Sequence, residues 1–163
     1  MVKGKRKLYW TKNEYKNKLE ICVRAVIKSE NKILVCWHKL KKYYFFPGGH
    51  IDFGETAESA IVRELKEELN LKVKKLSFIG IVENIYKDKY DKDKHHEINL
   101  VFNIIVEKVE DKSLEDHIDF VFMDDERFSQ EKIMPLALKK AIIYWLKNKK
   151  IFWVSHDFQA VRA

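Results

Sequence analysis

The sequence predicts a single α/β domain in which one amphipathic helix lies between two groups of strands and a second follows them. Short alternating or continuous apolar runs indicate strands, whereas two segments repeat their apolar residues at helical spacing. At 163 residues the chain has the length of one domain, so we expect residues 1–163 to fold as one unit. The sequence contains no internal repeat and no linker that would separate a second domain.

The strand pattern begins with two apolar runs separated by a turn. The turn signal is Ser29-Glu30-Asn31, so we expect its flanking strands to form a hairpin. The second strand is almost entirely apolar, which favours a strand covered on both faces. The predicted strands are 19–28, 32–38, 43–46, 73–86, 97–106 and 117–123.

Two helices are predicted, at 56–69 and at 135–147. Thr56 is a suitable N-cap for the first, and Glu58 lies in its first turn, where a negative charge complements the helix dipole. Pro135 begins the second, because proline is common at the first helical position. On a helical projection, Arg63 falls on the outer side of the first helix. The predicted core face of that helix comprises Ile61, Val62, Leu65 and Leu69.

The two ends of the chain differ in character. Residues 1–18 are polar and basic, and we expect a solvated arm there, whereas the aromatic tail at 149–163 is expected to pack on the domain or on a partner. The hydrophilic stretch 87–96 is expected to be a loop between two strands. The net charge of +7 favours anionic partners such as nucleotides or RNA, but the lysines are scattered and also suit a solubilising surface.

The cysteine and apolar content point to the cytoplasm. Cys22 and Cys36 lie within apolar runs without metal-ligand spacing, so we expect two reduced thiols in the core. No apolar run approaches the length that crosses a bilayer, and no apolar segment follows the N-terminal charges. We therefore expect a cytoplasmic protein without a membrane partner.

Three glutamates of the first helix share one face. Glu64, Glu67 and Glu68 stand at positions i, i+3 and i+4, where side chains are neighbours. A hard divalent cation such as Mg²⁺ or Mn²⁺ would relieve their repulsion, since it prefers oxygen ligands and is often completed by substrate phosphates. The alternative is a surface helix in which Arg63 pairs with Glu67 at i+4.

The turn before this helix supports a phosphate ligand. Gly48 and Gly49 allow backbone N–H groups to approach a ligand without an intervening side chain, so we expect them to bind substrate.

The stretch from Gly49 to Leu71 resembles the Nudix box, Gly-x5-Glu-x7-Arg-Glu-U-x-Glu-Glu-x-Gly-U, in which U is a bulky aliphatic residue. The matching residues are Gly49, Glu55, Arg63, Glu64, Leu65, Glu67, Glu68 and Leu71. One position departs from the pattern, because Asn70 stands where the family has glycine. Asparagine is the next most tolerant residue in the left-handed conformation that ends a helix, so we expect normal termination.

The resemblance implies a Nudix fold, a mixed β-sheet sandwiched between α-helices, as in MutT-like proteins. It also implies an enzyme that hydrolyses a nucleoside diphosphate linked to a further moiety X, with Mg²⁺ or Mn²⁺ as cofactor. Glu64, Glu67 and Glu68 would then be metal ligands and Glu55 would assist them. The resemblance gives Arg63 the role of orienting the glutamates through ion pairs.

Outside the box, Glu97 is the candidate general base or additional metal ligand, and the alternative is a charged strand end. His95 and His96 are candidates for a direct role or for solvated loop histidines. The aromatic residues that could stack on a base, or belong to the core, are Trp37, Tyr43, Tyr44 and Phe46.

Several functional alternatives remain at this point. The retained glutamates favour an enzyme over a non-catalytic nucleotide-binding or regulatory domain. The positive charge suits a small nucleotide polyphosphate, an RNA 5′ end or general nucleic-acid binding. The aromatic tail is compatible with a homodimer, and the sequence does not determine X.

Overall fold

A computed structural model describes residues 17–87, 94–107 and 116–157, without the side chains of 17, 18, 156 and 157. The strands are β1 (Asn17–Ser29), β2 (Lys32–His38), β3 (Tyr43–Phe45), β4 (Val73–Lys87), β5 (Lys94–Val106), β6 (Ile118–Asp124), β7 (Ile133–Met134) and β8 (Phe152–Asp157). The helices are α1 (Ala57–Leu69), α2 (Asp125–Gln130) and α3 (Leu136–Asn148). The predicted basic arm lies outside these residues, except for its last two.

The strands form one mixed sheet in the order β7-β3-β2-β1-β5-β4-β8, with β6 paired to β2. The predicted hairpin of β1 and β2 is correct but short, because only Lys28↔Ile33 and Ser29↔Lys32 are in register. Most of β1 instead runs parallel to β5, from Asn17↔Lys94 to Ile27↔Ile104. Parallel pairing joins strands that are distant in the chain, which is why strand patterns alone did not predict it.

Helices cover both faces of the sheet, as predicted. Val23, Ala25 and Ile27 of β1 pack in one cluster with Ile61 and Leu65 of α1. Val26 and Val35 face the opposite side, in a second cluster that contains the α3 residues Leu138 and Ile142. Successive side chains of a strand point to opposite faces, so the alternation along β1 supplies both cores.

The predicted core face of α1 is wrong at one residue. Val62 is 39% exposed, whereas Ala60, Ile61, Leu65 and Leu69 are buried. A step of 100° per residue moves Val62 beyond the stripe that contacts β1, and Ala60 falls into it.

The ends of α1 follow the local chemistry expected from the sequence. The hydroxyl of Thr56 accepts a hydrogen bond from the N–H of Ser59 (3.2 Å), which satisfies one free donor of the first turn. Asn70 adopts the left-handed conformation with φ 52°. Its N–H donates to the carbonyl of Lys66 (3.1 Å), so the helix ends normally without the family's glycine.

The C-terminal segment completes the sheet edge. Phe152 of β8 is buried beneath Gly80 of β4, where a Cβ atom would overlap the phenyl ring. The predicted packing of the tail on the domain is therefore correct for residues 152–155. Trp153 is 75% exposed on the same strand. Within the described residues, no helix is both long and apolar enough to cross a membrane.

Candidate active site

The turn after β3 runs alongside the part of β1 that does not pair with β2. The N–H of Val23 donates to the carbonyl of Gly49 (2.9 Å), and the N–H of Ala25 donates to that of Pro47 (2.9 Å). The N–H of Ile51 donates in return to the carbonyl of Ile21 (3.0 Å). These backbone hydrogen bonds attach the turn at the start of the box, here called the box turn, to the centre of the sheet.

Both glycines of the turn lie close to other atoms of the protein. Gly48 has φ 126°, a conformation that residues with a Cβ atom rarely adopt, and a Cβ there would overlap the carbonyl of Val23. At Gly49 a Cβ would overlap the carboxylate of Glu64. The second glycine therefore lets a helix carboxylate contact the backbone of the turn.

Arg63 binds most of the carboxylates of this region. Its Nη1 donates to Glu64 (2.9 Å) and to Glu67 (3.2 Å). Its Nε and Nη2 form a fork on the two oxygens of Glu55, at 3.0 and 2.9 Å. The Arg63 side chain is 28% exposed, so its predicted outer position is wrong. The i+4 pair with Glu67 that the sequence offered is present, together with three further pairs, to Asp52, Glu55 and Glu64.

The pKa values of this cluster follow from the same contacts. The Arg63 hydrogen bond holds the pKa of the Glu55 carboxyl below its ordinary value. The surrounding carboxylates, Glu55 first, raise the pKa of Arg63 above its ordinary value. Both groups are therefore charged at neutral pH.

Glu68 occupies a different position from the other helix carboxylates. It is only 8% exposed, and its Oε2 accepts a hydrogen bond from the N–H of Gly48 (3.2 Å). Glu67 is the exposed member of the set, with 58% of its side chain accessible. One carboxylate thus contacts the turn backbone while another faces solvent.

Glu97 lies on β5, on the far side of β1 from the box turn. It is 8% exposed, and Tyr86 donates a hydrogen bond of 2.6 Å to its Oε1. Asn99 donates to its Oε2 (3.3 Å). The parallel register sets Glu97 beside Glu20 of β1. Its burial and two donors make it a held carboxylate rather than a loose strand end.

The backbone of Cys22 lies between the two halves of the site. Cys22 pairs with His50 of the turn on one side and with Asn99 of β5 on the other. Burial raises the pKa of Cys22 to about 11. The charge of Arg24 opposes this shift, whereas the charges of Glu97, Glu20 and Glu64 add to it. Both cysteines are buried and neither forms a disulfide, as predicted.

The two neighbouring histidines belong to β5 rather than to the predicted loop. His95 lies 3.1 Å from Glu20 and stacks on the ring of Tyr86, with 5.1 Å between centroids. His96 pairs with Glu83 (2.8 Å). Each has a carboxylate partner, so the solvated-loop interpretation is wrong for both.

The aromatic candidates divide between core and surface. Phe46 is 1% exposed and meets Phe128 edge to face, so it belongs to the core. The rings of Trp37 and Tyr44 are half-buried with centroids 4.6 Å apart, and Arg127 donates to the Tyr44 hydroxyl (2.9 Å).

The donor chemistry of the site suits a hard divalent cation, because the side chains gathered on the turn are carboxylates. Within residues 17–87, 94–107 and 116–157, no group of three or more His, Cys, Asp or Glu side chains is arranged to hold a metal ion. In the present arrangement Arg63 holds Glu55, Glu64 and Glu67 instead. The residue types therefore fit a cation, and Arg63 binds only one oxygen each of Glu64 and Glu67, so it can orient these carboxylates while the other oxygen faces a cation.

Sequence reasoning missed Arg24 and Asn99, which lie between the two halves of the site. Arg24 donates to the Oδ1 of Asn99 (3.0 Å) and to the carbonyl of Gly48 (2.8 Å). A charged residue within the apolar run of β1, and an amide within that of β5, were the available signals. The sequence did not connect Arg24 and Asn99 with Glu97, because that connection depends on the register of β1 on β5.

Comparison with known proteins identifies the family of this site. The model of the NUDIX domain matches residues 18–147. An ADP-ribose pyrophosphatase of Methanocaldococcus jannaschii is 34% identical over 122 residues, which cover 70% of each chain. An 8-oxo-dGTP diphosphatase of Escherichia coli is 35% identical over 78 residues, or 45% of this chain and 60% of that one. The chain belongs to the Nudix family, and it is a Nudix hydrolase.

Solved structures agree with the fold. The MutT protein of Methanosarcina mazei superimposes with a TM-score of 0.65 at 20% identity, over 82% of this chain and 97% of that one. A MutT Nudix hydrolase of Burkholderia pseudomallei gives a TM-score of 0.64 at 19% identity, over 77% and 97%. The sheet with helices on both faces is therefore the Nudix fold, as the resemblance implied.

Proposed function

We propose that this enzyme hydrolyses the diphosphate linkage of a nucleoside diphosphate-X substrate, with Mg²⁺ or Mn²⁺ as cofactor. Water is added across the P–O–P bridge, so one phosphorus takes the hydroxyl and the bridging oxygen leaves with the other. The products are a nucleotide and a phosphorylated X. The single observation that supports this most directly is the set of carboxylates gathered by Arg63 beside the two-glycine turn.

Each part of the site has a role in this proposal. Glu64, Glu67 and Glu68, assisted by Glu55, would hold the cation, which supplies charge neutralisation and a more acidic bound water. The turn at Gly48 and Gly49 gives the phosphates close access to the backbone.

Glu97 is the proposed general base. Its two oxygens accept from Tyr86 and Asn99, and each oxygen has a second lone pair for a water proton.

ADP-ribose is the first substrate to test. The relative from Methanocaldococcus jannaschii, which is named for that substrate, spans more of this chain than the 8-oxo-dGTP diphosphatase of Escherichia coli. A relative from Vibrio atlanticus is named NAD-capped RNA hydrolase, is 33% identical, and covers 36% of this chain but 23% of its own length. The net charge of +7 adds support for an RNA 5′ end as a second substrate class.

A substrate panel with phosphate detection tests the proposal. ADP-ribose, other nucleoside diphosphate-X compounds, 8-oxo-dGTP and NAD-capped RNA are each incubated with Mg²⁺ or Mn²⁺. We expect Glu67→Gln and Glu68→Gln to lower kcat by about 100-fold or more, because a ligand of the cation is lost. Glu58→Gln is the matched control, since Glu58 is exposed in the first turn of α1 and should leave kcat unchanged.

The same panel separates the alternatives. Binding of a nucleotide without turnover would favour a regulatory domain on this fold. Steep salt-dependent binding to any RNA or DNA, again without turnover, would favour a nucleic-acid-binding protein. Equal turnover by the Glu67→Gln, Glu68→Gln and Glu58→Gln proteins would contradict the assigned roles.

A further inference from the structure

A continuous series of hydrogen bonds connects the box helix to Glu97 through two residues of the sheet. Glu68 accepts from the N–H of Gly48 (3.2 Å), whose carbonyl accepts from the Nη1 of Arg24 (2.8 Å). The Nε of Arg24 donates to the Oδ1 of Asn99 (3.0 Å). The Nδ2 of Asn99 then donates to the Oε2 of Glu97 (3.3 Å). The two acidic halves of the site are thus joined across β1.

The central residues of this series are held tightly. Asn99 is fully buried, and its amide also contacts the carbonyl of Val82 on β4 (3.4 Å). Its oxygen faces Arg24 and its nitrogen faces Glu97, so both ends of the amide are used. A buried polar group with satisfied partners has one favourable orientation, because any other leaves a donor or acceptor unpaired.

Arg24 suits this position because of the geometry of its guanidinium group. A guanidinium donates in two directions at once from a planar group, whereas an ammonium is a point donor at the end of a flexible stem. Here the two directions are the Gly48 carbonyl and the Asn99 side chain. Arg24 therefore couples the backbone of the turn to the amide that contacts Glu97.

We propose that Arg24 and Asn99 are positioning residues that set the carboxylate of Glu97 relative to the Gly48 turn and to Glu68. The inference rests on the proposed function, in which Glu97 acts as base. Neither residue needs to touch the substrate in this role. They act because a displacement of about 1 Å in a reacting group can lower the rate by about 100-fold.

The test compares two identical substitutions on β5. Asn99→Asp keeps the shape and the acceptor for Arg24 but replaces the donor to Glu97 with a carboxylate. Asn103→Asp is the control, because Asn103 lies four residues further along the same strand and pairs with Val26 and Ser77. Activity is measured on the best substrate of the panel, alongside the thermal midpoint of each protein.

We expect Asn99→Asp to lower kcat by about 10- to 100-fold with little change in KM, while Asn103→Asp keeps the wild-type kcat. In a Glu97→Gln background, Asn99→Asp should cause little further loss, because its effect passes through Glu97. Arg24→Lys tests the same connection at a partly exposed position and should also lower kcat rather than raise KM. A crystal structure of the Arg24→Lys protein should show the Glu97 carboxylate displaced.

The outcomes distinguish this inference from the function on which it rests. A panel without any turnover overturns the proposed function and this inference with it. Turnover in which Asn99→Asp and Arg24→Lys lower only the thermal midpoint overturns this inference alone, since the two residues are then structural. If the losses of kcat caused by Asn99→Asp and by Glu97→Gln are additive, this inference alone is likewise overturned. If Asn99→Asp does not fold, the kinetics and structure of Arg24→Lys decide.

Discussion

Arg63 and Glu55 form a two-pronged ion pair across the start of α1, with N–O distances of 3.0 and 2.9 Å. The same guanidinium reaches Glu64 and Glu67 with its remaining donors. Its single positive charge offsets only part of the negative charge of these three carboxylates, and its planar group fixes their spacing.

Replacing Arg63 by lysine should lower kcat/KM by about 10- to 100-fold, a range typical of residues that orient metal ligands. An ammonium lacks the planar fork that binds both oxygens of Glu55 while reaching Glu64 and Glu67, so the ligand geometry relaxes while one positive charge remains. Steady-state kinetics over a range of Mg²⁺ concentrations measure the loss. Arg127→Lys, which changes an exposed arginine of α2, is the control, and equal kinetics for both variants would argue against an orienting role.

Replacing Gly49 by alanine should lower kcat by about tenfold or more, because its methyl group occupies the space of the Glu64 carboxylate. Gly54→Ala provides the comparison. Gly54 has φ 87°, and a Cβ there meets no atom within 4 Å. We expect that control to cost about 1 kcal/mol of stability, measured by denaturant unfolding, and to keep its activity. A similar kcat for both proteins would show that the close approach at Gly49 is dispensable.

The substitution Asn70→Gly should leave kcat unchanged, because Asn70 already ends α1 in the left-handed conformation. Asn70→Ala should reduce the free energy of unfolding by about 1 kcal/mol, since alanine resists a positive φ. Denaturant unfolding and a kcat measurement on each protein distinguish the two effects. A marked gain of kcat on Asn70→Gly would mean that the family's glycine serves chemistry rather than helix termination.

The buried thiol of Cys22 should make stability fall at alkaline pH. Its pKa rises from 9.0 to about 11 on folding, so between these values the native state retains a proton that the unfolded chain loses. The contribution is fully present below pH 9 and is lost as pH rises through about 11, up to about 3 kcal/mol.

Serine at position 22 does not titrate in this range, so the Cys22→Ser protein isolates the effect. The difference in unfolding free energy between wild type and variant should shrink from pH 8 to pH 10.5. A difference that stays constant over this range would show that the thiol does not titrate as assigned. Measuring both proteins in one buffer series removes the contribution of the lysines and tyrosines.

Local elements were predictable because their causes are local. The strand pattern at 32–38 corresponds to β2 without a change of boundary, and the helix predicted at 56–69 differs from α1 by one residue at its start. Thr56 and Asn70 end that helix through contacts with residues three to five positions away. Such contacts join residues that are close together in the sequence.

The sequence by itself determined six of the eight described strands, the helices α1 and α3, the box and the identity of the carboxylates on α1, but not α2, β7 or β8. Only the tertiary structure placed Glu97 across β1 from the box turn, because β5 pairs with β1 in parallel and the turn also pairs with β1. It also joined Arg24 to Asn99, which are 75 positions apart. Periodicity reports which face a side chain takes, but it contains no information about which strand lies alongside. The choice of neighbouring strand depends on how the whole sheet buries its two apolar faces at once. It determines which residues of the two strands come together at the site.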